Sequence, residues 1–282
     1  MLKPLTNPDV LKQVLSSNKL RADKSLGQNF LICEEVIDAV LMALQDGPKK
    51  ITELGPGLGT LTQGLITSGY HVRAIEKDDD FIRVIPSVLP KNLRGNLELI
   101  HGDLKDVAWF NTQPANWAGN EAYSLVGNIP YNLSGYIIRR LTKLQTSPSV
   151  AVFLMQKEVV DRMVATEQNM SLLGLSVGLW GSATLLLRVP QSCFIPQPAV
   201  QSALVLLQPN DSRLPVEKRE EIIAKAKPFF QAKRKQIGTT MKRAYHKTDE
   251  EIDAITASIN LSKQARPETI SVDTWIRLCA IL

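Results

Sequence analysis

Residues 51–62 read ITELGPGLGTLT: a short apolar run at 51–54, a turn carrying Gly55, Gly57 and Gly59, and a renewed apolar pattern at helical spacing. With no Cβ at the three glycines the chain can bend sharply, and a ligand can approach its backbone closely. A strand, turn and helix of this kind belong to parallel sheets whose ligands bind beyond the carboxyl ends of the strands. Outward from this point, further apolar runs stand at 71–76, 97–101, 124–128, 150–155, 185–189 and 203–207, with helical patterns between most of them. The alternation predicts an α/β fold, a sheet built largely of parallel strands with helices on both faces.

The ends of those runs are then where chemistry is expected. The second ends at Glu76, 19 residues after Gly57, near the spacing at which an acidic residue accepts from a ribose diol; the alternative is a surface charge beside Lys77. The third ends in HGD, where Asp103 can either cap a helix or accept from the amino group of an adenine. The fourth ends in GNIPY, residues 127–131. Pro130 stiffens that turn, so Asn128 and the carbonyl of Ile129 can be held outward as acceptors beside the ring of Tyr131. Two acceptors next to an aromatic face suit the grip of an exocyclic amine on a base turned out of its stack. A dinucleotide dehydrogenase has no use for them, and the third glycine of its fingerprint would fall at Thr60.

Composition sets the frame. In 282 residues, 44% hydrophobic and 22% charged side chains are the balance of a soluble globular protein, and at this length burial suffices without disulfides or a structural metal. Cys33, Cys193 and Cys279 are far apart and only three histidines accompany them, so neither a disulfide framework nor any metal site is expected. Reduced thiols and the lack of a secretory pattern at MLKPLTNPDV point to the cytoplasm. Residues 168–187 carry no charge, but Gly174, Gly178 and Gly181 interrupt them, and a buried helix leading into a strand fits better than a membrane span.

The formal charge of +5 is uneven. Residues 1–212 hold 19 basic and 19 acidic side chains, whereas 213–282 hold 14 and 9. Eight basic residues, Lys233, Arg234 and Lys235 among them, fall in 225–247 with no acid between them, which reads either as a solvated helix face or as a surface for nucleic-acid phosphates. The turn-rich stretch 208–215 marks a boundary. It divides a domain over 1–208, whose first 30 residues form an extension, from a small all-helical, basic domain over 213–282. Pro228 is expected to kink or divide the first helix of the latter.

Taken together, SLGQNFL (25–31), ELGPGLGTLT (53–62), GNIPYNLS (127–134), LMQKEVVDR (154–162) and FIPQPAVQSA (194–203) resemble the adenine N6,N6-dimethyltransferases of small-subunit (16S) ribosomal RNA. The resemblance implies a Rossmann-like methyltransferase sheet, S-adenosylmethionine as methyl donor, and dimethylation of two adjacent adenosines near the 3′ end of 16S rRNA during ribosome biogenesis. It implies that Asn29, Leu31, Gly55, Glu76, Asp103 and Asn128 line the cofactor site, that Tyr131 stacks on the target adenine, and that Phe194 closes its opposite face unless it is a core aromatic. It further implies RNA contact by Lys233, Arg234 and Lys235, a monomer, and the small subunit or its precursor as partner. The sequence departs from the family pattern at Gln201, where Asp is usual, and at Gly238 and Thr239, where Arg-Asn is usual. A large-subunit rRNA dimethyltransferase and a catalytically idle assembly factor of the same fold are the rival readings.

Overall fold

The computed structural model describes residues 3–22, 27–106, 122–164, 168–211, 214–232 and 235–282. Its first half runs α1 (Pro8–Ser17), β1 (Phe30–Leu31), α2 (Glu34–Leu44), β2 (Lys50–Leu54), α3 (Thr60–Thr67), β3 (His71–Glu76), α4 (Asp79–Val84), β4 (Leu97–His101), β5 (Ser124–Asn128), α5 (Ser134–Leu141) and β6 (Ala151–Gln156). Then follow α6 (Lys157–Met163), α7 (Leu172–Trp180), β7 (Gly181–Val189), β8 (Phe194–Ile195), β9 (Ser202–Pro209), α8 (Val216–Gln231), α9 (Ile237–Ala244), α10 (Asp249–Ser258) and α11 (Val272–Ile281). All seven apolar runs are strands of one sheet, in the order β4-β3-β2-β5-β6-β9-β7.

From β4 to β6 neighbouring strands are parallel, and β9 lies antiparallel to β6. Strands β2, β3 and β6 are buried along almost their whole length because helices cover both faces, which is why they read as unbroken apolar runs. Strand β7 at the sheet edge alternates between exposed and half-buried residues, the pattern of a strand covered on one side. Between β2 and β5 the order reverses direction, which opens a crevice at their carboxyl ends. The two strands meet closely there: a Cβ on Gly127 would lie 2.7 Å from the carbonyl oxygen of Leu54.

The N-terminal extension packs into this layer, burying Leu5 and Leu11 and donating the Leu5 N–H to Gln63 Oε1 at 2.9 Å. Two short strands that the sequence did not show, β1 and β8, pair antiparallel with Leu31 opposite Phe194. Their pairing corrects the expectation of reduced thiols. Cys33 and Cys193, 160 positions apart, flank the paired residues and are joined by a disulfide, while Cys279 stays free and buried.

The chain forms two compact units, Met1–Val160 with Thr184–Pro209, and Asp161–Ala183 with Asn210–Leu282. Residues 161–183 thus fall in the helical unit and not in the sheet domain, to which the sequence reading assigned them. The cause lies in α7, which is apolar on all sides and buries Leu175 and Leu179 in one core with Ile222, Phe229 and Trp275. Pro228 does not divide α8, which continues to Gln231; the break comes before α9. Phe229 and Phe230 each pack 5.3 Å from the Trp275 ring and hold that last turn in place. No helix among the described residues is long and apolar enough to cross a membrane.

Candidate active site

The turn after β2 is left-handed at Gly55, Gly57 and Gly59, with φ of 70°, 57° and 86°. Side chains are strained in that region, and their absence lets the backbone line the floor of the crevice. Glu76 at the end of β3 bridges to this turn. Its Oε2 accepts the Gly57 N–H at 2.9 Å, and its Oε1 accepts those of Lys77 and Asp78 at 2.7 and 2.9 Å. A carboxylate offers about four acceptor positions, so one on Oε2 remains for a ribose hydroxyl. Burial nonetheless raises the Glu76 carboxyl above its ordinary range, outweighing the three N–H donors.

Asp103 follows β4 on the same side. Its Oδ1 accepts the Lys105 N–H at 2.9 Å and its Oδ2 lies 2.9 Å from Lys77 Nζ, so it both caps a turn and faces the crevice. The Lys77 ammonium and then the Lys105 N–H hold this carboxyl below its usual range. From β5, the Asn128 Nδ2 donates to the backbone carbonyl of Asn29 at 2.9 Å. That bond fixes the amide and leaves Oδ1 as the acceptor. Asn29, whose side chain donates to Gly27, thus acts on Asn128 through its backbone. Leu31 lines the same cavity and is almost wholly buried.

One cavity accordingly brings together Asn29, Leu31, Gly55, Glu76, Asp103 and Asn128. Its glycine floor and flanking carboxylates fit a nucleoside-bearing ligand such as S-adenosylmethionine. Two residues expected at the site, Tyr131 and Phe194, are not among those lining this cavity. The Tyr131 hydroxyl is 2.6 Å from Ser202 Oγ, which tethers the ring to the start of β9; its neighbours Pro130 and Asn132 line the cavity. Phe194, 1% exposed, is a core side chain paired against β1. Such burial is that of a core aromatic, the alternative reading for this residue. Lys233 and Arg234 lie outside the described residues, and Lys235 is exposed.

The sequence reading missed three participants. Glu53, two residues before Gly55, lines the cavity at 1% exposure and accepts from Thr62 Oγ1 at 2.6 Å. Desolvation, opposed by that hydroxyl and reinforced by Glu76, raises its carboxyl to about 8. Lys77 and Ser202 are the others. The only signal for them was adjacency to motifs already singled out. Among the described residues no group of three or more side chains could hold a metal ion.

The sequence pattern of a family described as ribosomal RNA adenine dimethylase matches residues 19–282. The ribosomal RNA small subunit methyltransferase A of Dehalococcoides mccartyi is 31% identical over 273 residues, covering 96% of this chain and 91% of the relative. The crystal structure of a dimethyladenosine transferase from Plasmodium falciparum superposes with a TM-score of 0.73 at 21% identity, over 88% of this chain and 95% of the other. That of the 23S rRNA methyltransferase ErmE gives 0.69 at 20% identity, over 90% and 99%. Both structures share the fold.

Proposed function

Because the chain belongs to the ribosomal RNA adenine dimethylase family, we propose that it methylates the N6 amines of adenosines in the 16S rRNA of the small ribosomal subunit or its precursor. It is an enzyme dependent on S-adenosylmethionine, which when bound supplies an activated methyl group. The residues of the chain then have to position the acceptor and stabilise its changing charge. Asn128 Oδ1 and the Ile129 carbonyl accept the two N–H groups of the target amine and favour a more pyramidal, nucleophilic nitrogen. This stabilisation grows as charge develops on that nitrogen. Tyr131, tethered through Ser202, stacks on the base, an interaction worth about 1–3 kcal/mol per base. Gly55, Glu76 and Asp103 hold the nucleoside part of the donor.

The observation that carries this reading is the Asn128 amide, locked by the Asn29 carbonyl so that its oxygen serves the cavity of the glycine turn. Asn128→Ala is expected to lower methyl transfer to unmethylated small subunits by about 100-fold or more, the scale of losing one aligned polar group at a reacting centre. Activity within a few fold of wild type would show the acceptor role to be mistaken. The small-subunit reading is supported over the large-subunit one by the small subunit methyltransferase A of Dehalococcoides mccartyi, 31% identical over nearly the whole chain. Supply of unmethylated large subunits to the same assay separates the two. Action on ribosomal precursors is in keeping with a cytoplasmic enzyme, and a cofactor cavity lined by residues of one chain is in keeping with action as a monomer.

A further inference from the structure

Lys77 joins two acidic groups of the crevice, Glu76 and Asp103. Its backbone N–H donates to Glu76 Oε1 at 2.7 Å, and its ammonium stands 2.9 Å from Asp103 Oδ2. Its carbonyl faces His101 Nε2 at 3.1 Å, and its side chain lines the cavity. The residue is thus fixed at the end of β3 by its backbone while its tip reaches a carboxylate on the loop after β4. A carboxylate rotates readily about its last torsion. Asp103 is held at both oxygens, by the Lys105 N–H on one and the Lys77 ammonium on the other. The pair is well exposed, with side-chain exposures of 59% and 36%, and such pairs add little to stability. What the contact supplies is orientation.

We infer that Lys77 is a positioning residue for recognition of the donor's adenine: by anchoring Asp103 Oδ2 it turns the remaining lone pairs of that carboxylate toward the 6-amino group. The inference rests on the reading that Asp103 accepts from this amine. Nothing in the apolar or glycine pattern of the crevice distinguishes adenine from another purine, so the discrimination falls on Asp103 and on whatever fixes it.

The test compares two ligands by calorimetry: S-adenosylhomocysteine, and its analogue with hydrogen in place of the 6-amino group. Neither carries the sulfonium charge, so general attraction to cations is removed from the comparison. Wild type is expected to prefer the amine by about tenfold, the scale of a hydrogen bond to a charged group. Lys77→Met keeps the length of the stem and the backbone N–H on Glu76 while removing the ammonium. It should cut the preference to about threefold or less, and Lys77→Arg should restore most of it. If Lys77→Met weakened both ligands equally, or left the tenfold preference intact, the positioning role would be overturned while the reading of Asp103 stood. A wild-type protein that binds both ligands alike would remove the reading of Asp103 itself, and the inference with it.

Discussion

Glu53 separates what a residue type suggests from what its surroundings make of it. A glutamate inside a strand reads as a solvent-facing charge, yet here the cavity floor removes it from water and its carboxyl rises to about 8. The folded state therefore holds the proton more tightly than the unfolded chain, where the ordinary value is 4.5. The stability this contributes is present below about 4.5 and is lost as pH rises through 8. The melting temperature of the cofactor-free protein is expected to fall between pH 5 and pH 9, and Glu53→Gln to flatten that fall. Equal slopes for the two proteins would show that Glu53 stays ionised. Gly55, Glu76, Asp103 and Asn128 were legible in the sequence because each ends an apolar run, where an α/β sheet must place its ligand groups. The contacts that orient them were not: Asn128 is fixed by a carbonyl 99 positions away and Tyr131 by a hydroxyl 71 away. No local pattern encodes such pairings.

Elements differ in legibility for a similar reason. The seven sheet strands, five to nine residues long, announced themselves as apolar runs of four to six residues, whereas β1 and β8, at two residues each, are too short to show any period. At Gly127 two strands of the sheet approach so closely that an added methyl would meet the Leu54 carbonyl at 2.7 Å and the Ile129 side chain at 2.8 Å. Gly127→Ala is expected to destabilise the protein by about 1–3 kcal/mol through overpacking, read as an earlier denaturant midpoint at unchanged slope. In the basic segment, composition overstated the free charge. Lys225, Lys242 and Lys247 are paired with Glu221, Asp249 and Glu251, so acids outside the segment neutralise part of it. Lys227, Lys235 and Arg243 are exposed and have no ion pair among the described residues. Reversing the charges of Lys235 and Arg243 should weaken RNA binding and reduce its dependence on salt by about two phosphate contacts' worth of slope. The same change at Lys242, already paired, should do less. If neither altered the slope, the segment would be a solvated face.

At the scale of the whole molecule, the Cys33–Cys193 bond joins two residues of the sheet unit and closes a loop of 160 positions. Cross-links over long loops restrict the unfolded chain most, and native bridges are typically worth about 2–5 kcal/mol. Reduction, or Cys33→Ser with Cys193→Ser, should lower the melting temperature by several degrees; an unchanged transition would mean that the bond adds no stability. The sequence could not show this bridge, because it depends on β1 meeting β8 and not on the spacing of cysteines. The division of the chain likewise escaped a reading that assumed contiguous segments. Since Asp161–Ala183 is shared in space with Asn210–Leu282, no single cut releases the helical part intact. A truncation at residue 209 would strand α7 with Leu175 and Leu179 stripped of their cover, and such a fragment would be prone to clump in solution. Exchange of the helical unit between relatives is therefore a two-piece graft, in which an insert midway along the gene must travel together with its tail.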